Sequence, residues 1–421
     1  MKKTKNKQRF SFRSVSQSIF ISSDLFISNS LSQSAAACAF GFLISLLPVI
    51  LLILIILIRI LHTNQDILME FYPYISSFIS AEQFSMLSSV LLDIKKIGIF
   101  EIITICAIFW ISRRFFFTVM QIFKKIFRNK TKRKNFFFTL GGFISEVILI
   151  VGLSVITSII VTVMPLIRSN HIFEIFPKLK NTIFPFLAFI TPYLMLFLIV
   201  FFTYKFAPGT KPNLKLCLGT SLSAVGIFFL VQKVFKIFLN ISRYNLIYGV
   251  LSNIIVLILE VNIFFQIFLF FAQYIYVTQF FDVLILGELY LLPQKDSPSV
   301  FARIKRFLFI KPSKLINKIE NVIHIKKGEK LYDMGSFSTD VFYIVSGLVE
   351  ITKNNRIEYG NPGSFIGEVS AFLDIPREAT VIAKTDLQLI RIKEDLFQDL
   401  LRSNPEVTMR LLENVSKVDL K

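Results

Sequence analysis

The chain has little with which to carry out metal, redox or hydrolytic chemistry. Of its 421 residues, 3 are cysteine, 3 histidine and 1 tryptophan. Cys38, Cys106 and Cys217 each lie in an apolar stretch, with no paired spacing and no histidine nearby, which excludes a disulfide framework and a zinc site. His62, His171 and His324 fall in separate regions, so the clustered ligands of a metal-dependent nuclease are missing. No GxSxG elbow, P-loop or dinucleotide fingerprint is present, and neither an enzyme nor a cofactor is expected. Acid is scarce as well, with 28 Asp and Glu against 47 Lys and Arg and a net charge of +19. The imbalance is uneven: the first 282 residues hold 27 basic and 10 acidic groups, the remainder 20 and 18. What is abundant is apolar bulk, with 54% hydrophobic residues, 48 Phe and a mean hydropathy of +0.64. An ordinary soluble protein is about 45–50% apolar, so one water-exposed globule is excluded. Basic residues between apolar runs mark cytoplasmic loops, and the charge excess is therefore read as topology: the partner is the lipid bilayer, with no nucleic acid.

A spanning helix needs about 20 mostly apolar residues. Six segments qualify: Ala35–Leu61, Ile97–Val119, Leu140–Met164, Phe184–Phe206, Leu214–Leu239 and Tyr248–Thr278. The expected fold is thus an α-helical polytopic membrane bundle of six transmembrane helices over residues 35–282, behind an N-terminal segment, 1–34. That segment is basic like a signal peptide's, but the first apolar run continues past a cleavable length and reads as a retained helix. Alternate loops carry 18 basic residues on one side and 6 on the other, which places both termini in the cytoplasm of a bacterial inner-membrane, multi-pass protein. Between the first two spans, Asp66 to Lys96 has the periodicity of an amphipathic surface helix, with solvated packing as the equal alternative.

After Asp282 the character changes. Residues 283–308, with Pro293, Pro298 and a basic cluster at Arg303, Lys305 and Arg306, read as a linker held near an anionic leaflet. From 309 to 421, short apolar runs punctuated by Gly328, Gly335, Gly347, Gly360, Gly363 and Gly367 predict a cytoplasmic β-roll, jelly-roll-like, with flanking helices. The run DLFQDLLRSNPEVTMRLLENVSKV predicts a helical close, which Pro405 divides in two. The most specific signal is Gly367-Glu368, eight residues, then Arg377, in GSFIGEVSAFLDIPREATVIA.

This run resembles the phosphate-binding cassette of the cyclic nucleotide-binding domain, and the resemblance extends over about 309–418, including KKGEKLYDMGSFSTDVFYIVSGLVEI. It implies a regulatory ligand, cyclic AMP or cyclic GMP, whose phosphate meets Arg377 and the backbone N–H groups near Val369 and Ser370, and whose ribose 2′-OH donates to Glu368. Gly367 lets the backbone turn close to the ligand and Thr380 adds a hydroxyl. Glu378 departs from the family's small residue beside the phosphate, and turned inward it would repel the anion. A β-roll kept only for packing is the alternative.

The membrane part resembles the YihY/BrkB family, whose members were once labelled ribonuclease BN, over roughly residues 15–282. The resemblance rests on SQSAAACAFGFLISLLPVILL, YKFAPGTKPNLKLCLGTSLSA and IYGVLSNIIVLILEVNIFF; Glu260 departs from an aromatic often found there. Glu146 and Glu260 are the acids set deepest in lipid-length segments, with Lys233 among their candidate partners. An unpaired charge there costs about 2.5–3.5 kcal/mol or more. A hydrated pathway for an ion or polar solute and simple interhelical hydrogen bonding both fit. Gly219, Ser223 and Gly226 share one face of their helix, which reads as close packing. Two functions stay open: a transporter or channel-like protein regulated by cyclic nucleotide, or a membrane scaffold whose β-roll recruits a partner protein. Either allows a homo-oligomer.

The basic bias yields a direct test of topology. A reporter active only outside the cytoplasm is expected to work when fused near Asn181 and to be silent when fused near Lys130 or after Lys421. Activity at Lys130 overturns the six-span order.

Overall fold

Long apolar runs that end at polar turns give the first part of the chain its helices. The computed structural model describes residues 12–60, 82, 84–86, 89, 115, 117–127, 184–238, 250–292, 300–310, 322–353 and 356–419. It divides into two compact units, one comprising Leu25–Tyr276, the other Met1–Asp24 with Val277–Lys421.

In the first of these units lie the end of α1 (Phe12–Ser28), α2 (Leu31–Ile60), α3 (Phe184–Phe206), α4 (Leu214–Phe238) and most of α5 (Val250–Gln279). Four of the six expected spans thus meet helices, while Ile97–Val119 and Leu140–Met164 lie largely or wholly outside the described residues, as does most of Asp66–Lys96. Among the described residues, two helical stretches, Leu214–Phe235 and Ile255–Gln279, are long and apolar enough to cross a membrane, and Leu31–Ser45 and Pro192–Phe206 are apolar but shorter.

The side chains of this unit are distributed as lipid would require rather than as water would. α3 turns Leu194, Leu198, Phe202 and Phe206 outward at four-residue spacing, and α4 exposes Leu214, Leu218 and Leu222 in the same way. Tyr204, Cys217, Thr220, Ser221 and Gln273 are buried instead. With no water in a bilayer core, polar groups must find partners inside the protein. Tyr204 donates to the Phe268 carbonyl at 2.7 Å, and Thr220 to that of Leu216 at 2.8 Å. Rings pack around them: Tyr204 stacks on Phe268 at 5.2 Å, and Phe123 lies 5.7 Å from Phe268. Among the described residues, the stripe of Gly219, Ser223 and Gly226 meets no closely packed neighbour. It faces outward, and a Cβ at either glycine would meet nothing within 4 Å.

The second unit is built on two four-stranded antiparallel sheets. Its strands are β1 (Val322–Ile325), β2 (Lys330–Tyr332), β3 (Val341–Ser346), β4 (Val349–Lys353), β5 (Arg356–Gly360), β6 (Phe365–Ile366), β7 (Thr380–Ala383) and β8 (Leu387–Ile392). The sheet orders are β1-β8-β3-β6 and β2-β7-β4-β5. Inward residues of both form one core, with Ile344, Val349, Val381 and Leu389 fully buried. At the β3–β4 turn Gly347 has φ +96°, and a Cβ there would sit 2.5 Å from the Asp386 carbonyl oxygen.

Helices complete this unit. The linker expected over 283–308 contains two of them, α6 (Phe281–Tyr290) and α7 (Val300–Phe309), whereas Pro293 and Pro298 lie outside the described residues. Lys305 of α7 pairs with Glu288 of α6 at 2.6 Å. Burial raises the Glu288 carboxyl above the ordinary range, and Lys305 opposes that rise. The first half of α1 joins α7: Gln17 donates to the Leu308 carbonyl at 2.8 Å, and Phe20 meets the buried Phe309 edge-on at 5.4 Å. After the short α8 (Glu368–Leu373) come α9 (Glu394–Ser403) and α10 (Pro405–Asp419). Between the last two, the Asn404 side chain accepts from the N–H groups of Glu406 and Val407 at 3.2 and 3.3 Å, so an asparagine cap followed by proline in the first turn separates the helices.

Gly347→Ala is expected to destabilise this unit by about 1–3 kcal/mol, because it imposes both a left-handed backbone and a backbone clash. Pulse proteolysis of the full chain across a urea series should show the midpoint for the β-roll falling.

Candidate functional site

The signal read from the sequence lies where one sheet edge meets a short helix. β6 delivers Gly367, whose φ of +80° turns the chain directly into α8. No side chain fits at that position, since a Cβ would lie 2.1 Å from Nη1 of Arg377. The first intrahelical bond runs from the Ala371 N–H to the Gly367 carbonyl at 3.1 Å. The N–H groups of Glu368, Val369 and Ser370 therefore precede the helical ladder and have no acceptor within it.

Arg377 comes from the loop before β7 and is 1% exposed. Its main chain is fixed by two bonds to the loop after β2, Arg377 N–H to the Ser336 carbonyl at 2.9 Å and Gly335 N–H to the Arg377 carbonyl at 2.8 Å. Its Nη1 donates to the Gly367 carbonyl at 2.9 Å and its Nη2 to that of Asp340 at 2.5 Å. The plane of the guanidinium lies over the Tyr332 ring, 4.5 Å from the centroid, a cation–π contact strengthened by burial. Among the described residues, Nε is buried without a hydrogen-bond partner. Burial lowers the pKa of Arg377, and Tyr332, Asp340 and Glu368 oppose the fall; an arginine starts so high that it stays charged.

Glu368 is half-buried at the start of α8. Burial pushes its carboxyl up to about 7, against the pull of its own backbone N–H and of Arg377. Its charge reaches the hydroxyls of Tyr332 and Tyr290, whose pKa values are raised above the ordinary phenol, first by burial. Tyr290 belongs to α6. Its ring packs 5.0 Å from Phe365, its carbonyl accepts from Arg410 of α10 at 3.3 Å, and Asn414 lies 3.5 Å from its hydroxyl.

The remaining residues are placed as follows. Val369 is half-buried and Ser370 is 5% exposed. Thr380 stands on β7, where its hydroxyl accepts from the Met334 N–H at 3.1 Å and so ties the loop after β2 to the sheet. Glu378 is ion-paired to Lys353 of β4, which offsets its charge. In the other unit, Glu260 is half-buried on α5, and Lys233 is exposed on α4, 5.4 Å from the Phe229 ring. Glu146 lies outside the described residues. Tyr332, Tyr290, Lys353 and the Asp340 carbonyl were not anticipated from the sequence. They reach the site through strand pairing and helix packing across long separations, which leave no local pattern.

Chemically, the site is a fixed cation with an unpaired buried N–H, beside a helix start whose N–H groups lack helical acceptors and a carboxylate that is costly to ionise. A cyclic phosphate with a neighbouring hydroxyl fits this set: the anion complements Arg377 and the amides, and a hydroxyl donor complements Glu368.

Comparison with known proteins bears on both units. Residues 322–404 match the cyclic nucleotide-binding domain. A cyclic nucleotide-gated potassium channel, mll3241, of Mesorhizobium japonicum is 31% identical over 114 residues, covering 27% of this chain and 28% of the channel. A cAMP-dependent protein kinase regulatory subunit of Yarrowia lipolytica is 42% identical over 66 residues, 15% of this chain and 18% of that one. Among solved structures, the catabolite activator protein of Thermus thermophilus aligns with a TM-score of 0.23 at 19% identity, over 26% of this chain and 57% of its own. The chain thus spans well under half the length of either relative in sequence. The longer match, over residues 23–280, is to the family described as virulence factor BrkB. By that match, which takes in more than half of its residues, the chain belongs to the BrkB family of membrane proteins, and a cyclic nucleotide-binding domain follows on its C-terminal side.

Proposed function

We propose that the chain is a six-span protein of a bacterial inner membrane, with both termini cytoplasmic, whose transport of an ion or polar solute is regulated by cyclic AMP or cyclic GMP bound at Gly367, Glu368 and Arg377. The observation that carries this reading is the buried Arg377 guanidinium, with Nε unpaired, beside a glycine that no other residue could replace without moving it. The phosphate takes that N–H and the amides of α8, and the 2′-OH donates to Glu368. Regulation is supported by α6, which begins directly after the apolar α5 and brings Tyr290 to Phe365 and within electrostatic range of Glu368. The half-buried Glu260 on α5 is the group assigned to the solute path.

Two measurements test the site. In titration calorimetry on the full chain in detergent, Arg377→Ala is expected to weaken cyclic nucleotide affinity tenfold to a hundredfold, about 1.5–3 kcal/mol, and Glu368→Ala by less. No heat from the wild type at millimolar cyclic AMP and cyclic GMP overturns the reading. Binding without any change in the membrane unit moves it to partner recruitment.

The second measurement is pH. The folded Glu368 carboxyl lies at about 7, raised from its ordinary 4.5. Between these values the folded state holds a proton that the unfolded chain has released, so stability without ligand falls as pH rises through this window. The loss is at most about 3 kcal/mol, and Glu368→Gln is expected to flatten it. Affinity runs the other way. The carboxylate accepts from the 2′-OH more strongly than the protonated acid does, so binding tightens as pH rises toward about 7 and levels above it.

A further inference from the structure

α7 is the helix VFARIKRFLF, with three cations and no acid. Its faces are divided between protein and solvent. Phe309 is fully buried against Phe20 of α1. Lys305 is held by Glu288, and Arg306 reaches the Pro362 carbonyl in the turn before β6 at 3.4 Å. Both contacts hold α7 within the unit. What α7 presents outward is Phe307, 70% exposed, and Ile304, 49% exposed, beside the exposed Arg303; together with Leu308 they line a shallow apolar groove.

Several other apolar side chains of this unit are exposed beside acids. Ile357 and Tyr359 flank Glu358, Met409 and Leu412 adjoin Glu413, and Met334 follows Asp333. Only around Ile304 and Phe307, among these described patches, does exposed apolar surface adjoin a cation on a helix without acid. Chain length sets a second condition. α6 begins at Phe281, directly after the candidate span ends at Gln279, and Glu288 lies nine residues further on. At a helical rise of 1.5 Å per residue, that is about 14 Å. Lys305, bonded to Glu288, is tied that close to the end of the apolar span.

We propose that α7 docks flat on the bilayer surface at the anionic leaflet, with Phe307 and Ile304 in the boundary between headgroups and acyl chains and Arg303 among the lipid phosphates. An exposed apolar face with a flanking cation, within reach of headgroups, is the chemistry of an interfacial helix. The basic cluster seen in the sequence thus divides its work: Arg303 faces lipid, while Lys305 and Arg306 bind α7 to α6 and to the turn that leads into Gly367. The inference rests on the reading of α5 as a span and is independent of nucleotide binding.

The test uses the full chain with its cysteines replaced by alanine, reconstituted in nanodiscs containing anionic lipid. Nitroxides are attached at Phe307→Cys, at Phe337→Cys as an aqueous reference and at Ile258→Cys, on the exposed face of α5, as a lipid reference. Collision with oxygen is expected to exceed collision with a water-soluble nickel chelate at 307, as at 258, and this order is expected to reverse at 337. If 258 reports lipid and 307 reports water, the docking proposal is overturned. A label at 307 that is immobile and shielded from both reagents means a protein occupant and overturns it equally. An aqueous signal at 258 is the separate failure, that of the span itself, and removes the basis of the docking. The unmodified chain supplies a second readout. Trypsin cleavage at Arg303 is expected to be several-fold slower in anionic than in zwitterionic nanodiscs, and equal rates overturn the assignment to an anionic surface.

Discussion

A buried guanidinium needs partners, and at Arg377 the chain supplies them from the backbone to Nη1 and Nη2, while in the proposed reading Nε is left for a ligand to meet. The carbonyls of Gly367 and Asp340 take two of its N–H groups, Tyr332 covers its face, and the loop after β2 holds its main chain. Removing one partner of a buried charge costs several kcal/mol, so these elements cannot move independently. The constraint explains the glycine at 367 and the left-handed turn into α8. It also explains why Glu368 is hard to ionise: the cation beside it is already shared among carbonyls, and burial outweighs the attraction that is left.

The two units solve opposite problems of solvation. The β-roll follows the rule for water, apolar residues between sheets and charges outside. The BrkB unit buries Tyr204 and Thr220, each with a carbonyl partner, and shows leucine and phenylalanine to its surroundings. A polar group placed outward in hydrocarbon would lose its hydrogen bonds altogether, whereas in the β-roll an exposed lysine or glutamate costs nothing. The division of charge along the sequence records this difference: the acids gather in the second unit, where Glu350, Glu378 and Asp333 pair with Lys384, Lys353 and Lys330.

How much of this could be read beforehand follows from range. Phe184–Phe206 was delimited in the sequence as it stands in α3, because the apolar run stops at a polar turn. Pro405 marked the break between α9 and α10 because it has no N–H to continue a helix. Gly367, Glu368 and Arg377 were legible as a group, since all three lie within eleven residues. Tyr332 and Asp340 were not: one arrives through the pairing of β2 with β7, the other through a carbonyl that any residue possesses. Periodicity finds a face but not its neighbour, as at Gly219 and Gly226, which face outward among the described residues. Residues 283–308 misled for another reason. Two prolines and a run of charges signal a break in structure, yet α7 is held by Phe309 and Lys305, contacts whose partners lie in α1 and α6.

One of those partners sets the order of events during synthesis. The side chain of Gln17 bonds the carbonyl of Leu308, a separation of 291 residues. At about 5–20 residues per second, a ribosome needs roughly 15–60 s to make the second partner after the first. In the topology proposed above, the N-terminal turns of α1, with the buried face formed by Ser14, Gln17, Ser18 and Ile21, wait for that interval on the side of the membrane where they were made. A topology that sent the nascent N-terminus across the bilayer would leave this face permanently separated from α7. Under that topology, the long-range bond makes correct insertion of the early helices a precondition for finishing the domain made last.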